Sequence, residues 1–311
     1  VIIYRGIEEI KHIEGAVLTT GTFDGVHPGH LAILSRLRQE ADIIQGQTVL
    51  ITFDPHPRLV LNPDDSSLRL LNTSSEKEEL LRKAGIDHLI VIPFTKEFAS
   101  TSSEDYVKGI LVERIGVRKL VIGYDHRFGK GRGGSFRELQ ILAPEYGFTV
   151  EEIPPHYFEN ITVSSTKIRN ALSAGQVREA AELLGYNYPL TGVVTRGRQI
   201  GRSIGYPTAN ISVSEPLKLI PAHGIYVVYA YVHNTRYGGM LSIGTNPTVN
   251  GSGTNIEVHI FDFSDDIYDQ VIRVEFLDKL RNEEKLESLD ALREYLNADK
   301  TKSLQILAAY E

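Results

Sequence analysis

The sequence predicts two folds in tandem: an α/β domain on a parallel, Rossmann-like sheet over residues 1–187, then an antiparallel β-barrel with a C-terminal helix over residues 188–311. Three observations carry this. Up to about residue 185, apolar runs alternate with helical stretches, which is the pattern of parallel strands joined by crossover helices. From Thr191 the texture changes to short strands separated by Gly, Pro and Asn turns, whose spacing suggests a barrel. A chain of 311 residues also exceeds one typical domain.

Residues 16–20 (AVLTT) read as a buried strand, and Leu31, Leu34, Leu37 and Ala41 recur behind it at helical spacing. Between them lies GTFDGVHPGH, residues 21–30, a strand-to-helix turn. Its glycines at 21, 25 and 29 let the backbone pass close to a ligand, and the positive end of the new helix faces whatever sits there. An anion is the expected occupant. His27 and His30 stand at the helix entrance, able to donate to phosphate oxygens, and Pro28 suits a first helical turn. A His pair of this kind also suggests zinc, but no third ligand lies nearby at metal spacing.

A second strand at 48–53 ends in FDPHP, a proline-rich loop at a strand end, where α/β proteins bind ligands. Then follow a helix at 75–84, a strand at 88–93, a helix at 103–115 opened by SSED, and a strand at 118–123. Beyond that strand GYDHRFGKGRGG gathers Arg127, Lys130 and Arg132 among glycines. It contains a formal G-x-G-x-x-G at Gly129, Gly131 and Gly134, with Glu151 and Glu152 further on. In a dinucleotide fingerprint the first glycine follows the strand directly, whereas here residues 124–128 intervene. A basic loop over phosphates explains the same residues. VSSTKIR, residues 163–169, opens another helix, which Ser164, Ser165 or Thr166 can cap, with Arg169 one turn on. The two helix entrances together suit one triphosphate.

A short helix at 176–185 and an unpatterned connector place the domain boundary near residue 187. Strands are expected at 191–198, 224–233, 236–243, 255–263 and 271–280, and a final helix from Ser288 presents Leu289, Leu292 and Leu296 on one face. Within this half, GRQIGRSIGYPTANI combines Gly197, Gly201 and Gly205 with Arg198 and Arg202 in a flexible basic loop. If PTAN is extended, Thr208 and Asn210 share a side, and their oxygens are adequate Mg²⁺ ligands when phosphates and water complete the octahedron. On NIEVHIFDF, Glu257 shares a face with His259. No Walker A string occurs, so a kinase here is not of the P-loop kind.

Composition narrows the function classes. There is no cysteine, which excludes disulfides and thiolate catalysis. Before residue 188 there are 21 basic and 25 acidic residues, and after it 12 and 15, so neither half has the basic excess of a nucleic-acid binder. No apolar run approaches a membrane span and no signal-like segment opens the chain, so a cytoplasmic protein without nucleic-acid or membrane partners is expected. Oligomeric state is not legible.

The His-x-Gly-His turn resembles that of the nucleotidyltransferases in which it holds ATP phosphates, and GTFDGVHPGH is similar to the bacterial bifunctional riboflavin kinase/FAD synthetases. The Gly-x-Asp-x-Arg-Phe-Gly string, the Ser-Ser-Thr-x-Ile-Arg string, PTAN, the Glu-x-His strand and Leu280-Arg281 follow in that family's order. The resemblance implies a nucleotidyltransferase domain followed by a flavokinase barrel: riboflavin is phosphorylated to FMN with ATP and Mg²⁺, and FMN is adenylylated to FAD. In the first domain it implies ATP contacts at Gly21, Phe23, Gly25, His27, His30, Ser164, Ser165, Thr166 and Arg169, and flavin contacts at Pro55, Asp125 and Arg127. In the barrel it implies ATP contacts at Gly201, Arg202, Gly205, Thr208 and Asn210, the last two also on the metal. Glu257 is then the catalytic base, with Arg281 beside the flavin. Two positions depart from the pattern: Asp269 stands where glycine commonly follows Tyr268, and Leu286 replaces a phenylalanine. Rival readings are an adenylyltransferase whose barrel only holds flavin, and a non-enzymatic flavin or dinucleotide sensor.

Overall fold

A computed structural model describes residues 1–65, 67–124, 126–154, 163–197, 201, 204–248, 251–284 and 288–310. By contacts the chain divides into two compact units, Val1–Ser164 and Ser165–Glu311.

The first unit is a six-stranded, all-parallel sheet in the order β1-β4-β3-β2-β5-β6. The strands are β1 Ile2–Arg5, β2 Ala16–Thr20, β3 Gln47–Asp54, β4 His88–Pro93, β5 Val117–Gly123 and β6 Thr149–Ile153. Alternate residues go to opposite faces. Leu18, Val49, Ile51, Ile90, Leu120 and Ile122 join one core, and Val17, Leu50, Leu89 and Val121 join the other. Helix α1 (Pro28–Ile43) covers the second core with Leu34, Leu37 and Ala41, three of the four residues read at helical spacing, whereas the fourth, Leu31, is exposed; α3 (Ser74–Lys83) adds Leu81. Between them in the chain, α2 (Pro57–Leu61) is a single short helix.

The other face is covered differently from the expected α-helix at 103–115. After the short helices α4 (Lys96–Ala99) and α5 (Ser103–Asp105), residues Tyr106–Ile115 wind as a π-helix that ends at Gly116 in the left-handed region, φ 79°. Its buried residues, Tyr106, Val107, Ile110, Leu111 and Ile115, include steps of five, Tyr106 to Leu111 and Ile110 to Ile115, beside steps of three and four. A wider turn is what brings that spacing to one face. Helix α6 (Phe136–Tyr146) completes the layer with Leu139 and Leu142.

Helix α1 is pinned to the sheet by an ionic network: Arg36 and Lys119 pair both with buried Glu40 and with Glu151 on β6, where Arg36 Nε and Lys119 Nζ each lie 2.6 Å from that carboxylate. Glu151 is thereby committed to the fold and is not a ribose-binding acid. The glycine string agrees: Lys130–Arg132 is a single 3₁₀ turn, not the opening of a long helix.

The second unit begins with α7 (Ser165–Ser173) and α8 (Val177–Leu184), then forms a closed antiparallel barrel in the order β10-β11-β8-β7-β12-β9. The strands are β7 Pro189–Thr195, β8 Ala209–Ser212, β9 Gly224–Val232, β10 Thr235–Thr248, β11 Gly251–Ile260 and β12 Val271–Arg281. Helix α9 (Leu289–Ala308), N-capped by Ser288 as the sequence suggested, packs Leu296 and Leu307 with Tyr206, Tyr229, Met240 and Phe261. Asp269 adopts φ 63°, the left-handed conformation that suits glycine and that aspartate tolerates better than most residues, which gives that departure a physical basis. Leu286 lies outside the described residues.

Candidate active sites

In the first unit the strand order reverses between β2 and β5, and a crevice outside the strand ends at such a point is where open α/β sheets bind ligands. A cavity of about 690 Å³ lies there. Gly21, Phe23 and His30 line it from the turn after β2, and Gly123, His126 and Arg127 from the loop after β5. The turn is tightly wound: Phe23, Gly25 and Val26 have φ of 48°, 91° and 37°. Asp24 holds it by accepting from the Leu71 and Asn72 N–H groups at 2.9 and 3.3 Å, and the Gly25 N–H donates to Asn72 Oδ1 at 2.8 Å.

His27 is the N-cap residue of α1 but makes no side-chain capping bond, so the helix end is not closed by its own cap. The two imidazoles are stacked, with centroids 3.8 Å apart and planes 14° from parallel. They do not face the cavity equally. His30 lines it, while His27 is 7% exposed and is not among the lining residues. His30 Nδ1 is buried with no hydrogen-bond partner. Burial holds the His30 pKa well below the ordinary imidazole value, and His27 and Lys77 push it the same way.

Across from His30 the wall is aromatic: Phe53, Phe94, Phe98, Tyr106 and Phe128 form a chain with successive centroid separations of 5.4, 5.6, 6.1 and 6.0 Å. The sequence reading did not single these residues out, although PFTKEF and FDPHP both carried aromatics at strand ends. His56 and Arg58 also line the cavity, whereas Pro55, which follows a cis peptide bond, does not. Asp125 lies outside the described residues. Ser164 precedes α7, Ser165 and Thr166 lie in its first turn, and Arg169 is half-buried one turn on.

In the barrel a cavity of about 780 Å³ is lined by Gly197, Gly201, Thr208, Asn210, Glu257, His259 and Arg281 among others. The sheet register explains the grouping. Glu257 on β11 pairs with Asn210 on β8 and with Ser242 on β10, so residues from three strands meet on one face. The Thr208 hydroxyl donates to Glu257 Oε2 at 2.9 Å and the Asn255 amide donates to Oε1 at 2.7 Å. His259 Nδ1 is 2.7 Å from the carbonyl of Pro207, so that nitrogen carries the proton and PTAN is tied to β11. Burial pushes the His259 pKa down. Gly197 leaves room that any side chain would lose, because a Cβ there would collide with the Asn210 amide.

The donor set suits Mg²⁺. Thr208 and Asn210 offer hard neutral oxygens in the same cavity as a carboxylate. Among the described residues no group of three or more His, Asp or Glu could hold a metal, so an ion here needs phosphate oxygens and water as its remaining ligands. Arg281 lines the cavity with its guanidinium already held by buried Asp299, at 2.8 Å, and stacked over Tyr295 at 4.9 Å. Gly205 has φ 86° and is not among the lining residues, and Arg198 and Arg202 lie outside the described residues. Asn255 and Ser242 were not anticipated; the period of the strand was the available signal for Asn255.

Known proteins match this chain along nearly its whole length. Residues 9–167 match the FAD synthetase family and residues 184–307 match the riboflavin kinase family. The bifunctional riboflavin kinase/FMN adenylyltransferase of Pseudomonas fluorescens is 36% identical over 297 residues, covering 95% of this chain and 94% of that protein. The protein of the same description from Escherichia coli K12 is 35% identical over 298 residues, with the same coverage. A crystal structure described as a macrolide-efflux protein from Streptococcus pneumoniae superposes with a TM-score of 0.87 at 31% identity, over 97% of this chain and 99% of that one. No helix among the described residues is long and apolar enough to cross a membrane. With both domain families in order, and relatives at this identity over this length, the chain belongs to the bifunctional riboflavin kinase/FMN adenylyltransferase family.

Proposed function

We propose that the two reactions of this bifunctional flavin-synthesising enzyme run in the two cavities, phosphorylation of riboflavin in the barrel and adenylylation of FMN at the crevice of the parallel sheet. The modules are residues 1–187 and 188–311, working in the cytoplasm on ATP, riboflavin and FMN. The observation that carries this reading is that a hydrogen-bonded carboxylate, Glu257, shares a cavity with Thr208 and Asn210, while the other cavity is lined at a helix entrance by His30, whose buried Nδ1 has no hydrogen-bond partner.

The chemistry differs between the two. Riboflavin offers a neutral 5′-hydroxyl, so its attack on the γ-phosphorus of ATP releases a proton, which Glu257 accepts as ADP leaves. Thr208 and Asn255 orient that carboxylate while each oxygen keeps a lone pair. Thr208 and Asn210 would hold Mg²⁺, which when bound offsets the charge of the phosphates. Gly201, which lines the cavity and has no side chain, admits the phosphates closely.

FMN is already an anion and needs no base. Its phosphate oxygen attacks the α-phosphorus of a second ATP, and pyrophosphate leaves. What helps is neutralisation and alignment, supplied by the end of α1 and by His30 with His27 stacked behind it. The aromatic wall suits a planar heterocycle, and Arg127 suits its polar edge. Incubating the protein with riboflavin, ATP and Mg²⁺, and separately with FMN and ATP, then resolving FMN from FAD by chromatography, tests the reading. Both products are expected; FAD without riboflavin-dependent ADP would leave only an adenylyltransferase with a flavin-holding barrel.

A further inference from the structure

Residues 71–77 contribute nothing to the cavity wall, yet they strap the turn at 21–30 into place. Asp24 and Gly25 are bonded to Leu71 and Asn72, as described above. The third attachment is Lys77, half-buried on α3. Its ammonium donates to the hydroxyl of Thr52 at 3.2 Å and reaches the carbonyl of Thr22 at 3.4 Å, and Thr52, fully buried on β3, donates to that same carbonyl at 3.1 Å. A turn with φ of 48° at Phe23 and 37° at Val26 is held there only by its surroundings.

We propose that Lys77 is a positioning residue for adenylyl transfer: it braces the Thr22 carbonyl directly and through Thr52, and it sets a fixed positive charge behind the His27/His30 pair. The inference rests on the reading of that pair as the group facing phosphate. Burial lowers the pKa of the ammonium, and the charged groups around it, Asp24 on the turn, Asp54 at the end of β3 and Glu78 on α3, oppose that shift. On the side of α1 it meets His30, whose protonation it opposes. Burial and the charge of Lys77 therefore both hold His30 toward its neutral form while the brace holds the turn in place. A phosphate beside His30 opposes both and favours its protonated form.

Three variants of the full chain separate this role from simple packing. Lys77→Met removes charge and brace, Lys77→Arg keeps the charge, and Thr52→Val removes one arm of the brace only. FMN adenylylation in Lys77→Met should fall about 10- to 100-fold, through kcat and not through the KM for ATP alone. The His30 imidazole signal in NMR should titrate at higher pH, and riboflavin phosphorylation should stay at the wild-type rate. Lys77→Arg should recover part of the rate and the wild-type titration. Thr52→Val should slow adenylylation while leaving the titration in place. A purely structural lysine predicts a lower unfolding temperature with neither a kcat change nor a shifted His30 titration, and that result overturns the proposal. Should Lys77→Met not fold, wild-type adenylylation by Thr52→Val overturns the brace. His27→Ala with His30→Ala, run in parallel, tells the two failures apart: full activity there removes the histidine reading itself, whereas loss there with full activity in Lys77→Met removes only the role of Lys77.

Discussion

Thr208 and Glu257 are joined side chain to side chain, the threonine hydroxyl donating to Oε2 at 2.9 Å, and this bond links the residue proposed to hold the metal to the residue proposed to act on the substrate. A hydroxyl that gives its proton to the carboxylate keeps its lone pairs for a cation, so one side chain serves both. Thr208→Val should therefore lower FMN formation by about 10- to 100-fold and raise the Mg²⁺ concentration needed for half-maximal rate, with FMN adenylylation unchanged. A Mg²⁺ titration of both half-reactions checks it. An unchanged metal requirement would take Thr208 off the ion.

His27→Ala combined with His30→Ala should reduce FAD formation from supplied FMN by about 100-fold or more, the scale of losing preorganised donors, while riboflavin phosphorylation continues. Separate substitutions should rank unequally, because only His30 lines the cavity and His27 acts through its stacked ring. Equal losses in the two single variants would argue against that division of labour.

Stability should depend on pH in a defined way. His30, His88 and His259 all have pKa values pushed down by burial, so the unfolded chain takes up protons at these sites that the fold resists, and stability is lost as pH falls below the ordinary imidazole value of 6.5. At the alkaline end burial raises Tyr106 and Tyr226 to about 12 from 10.0, so the folded state resists their ionisation and stability falls as pH rises beyond 10.0. The unfolding temperature of the ligand-free protein should be highest between these limits. ATP binding near pH 6.5 should take up protons, because phosphate restores what burial removes from His30; calorimetry in two buffers of different ionisation enthalpy measures it.

The proposed boundary near residue 187 makes a prediction about truncation. Residues 188–311 should fold and phosphorylate riboflavin, but residues 165–311 should be more stable by several kcal/mol. Helices α7 and α8 bury Ile168, Leu172, Val177 and Leu184, and the Ala222 N–H donates to the Leu172 carbonyl at 3.1 Å. Equal unfolding temperatures for the two fragments would show that these helices add nothing to the barrel.

Much of the scaffold was legible because its signals are periodic. The strands read at 16–20, 48–53, 88–93 and 118–123 correspond to β2 to β5, the Leu34, Leu37 and Ala41 stripe marked the buried face of α1, and Ser288 marked the start of α9. What was missed lacks such a signal. Strands β1, β6 and β8 are four or five residues long, too short for a period to stand out. The π-helix was not legible, because the steps of three and four among Tyr106, Val107, Ile110, Leu111 and Ile115 fit an α-helix as well, and only the steps of five favour a wider turn. In the sites, glycines, His30, Thr208 and Glu257 were visible because their chemistry stands in short strings. Asn72 and Lys77, which hold the turn, and the aromatic wall, which lines the crevice, were not, since they come from elements far apart in sequence and only the fold brings them together.

The central claim, that one chain runs two independent reactions with Glu257 as the base of only one, is tested most directly by Glu257→Gln. Glutamine keeps the size and one acceptor oxygen but cannot take the riboflavin proton. The account predicts that kcat for FMN formation falls by about 100- to 10,000-fold with KM little changed, while adenylylation of supplied FMN proceeds at the wild-type rate. FMN formation near the wild-type rate would contradict it.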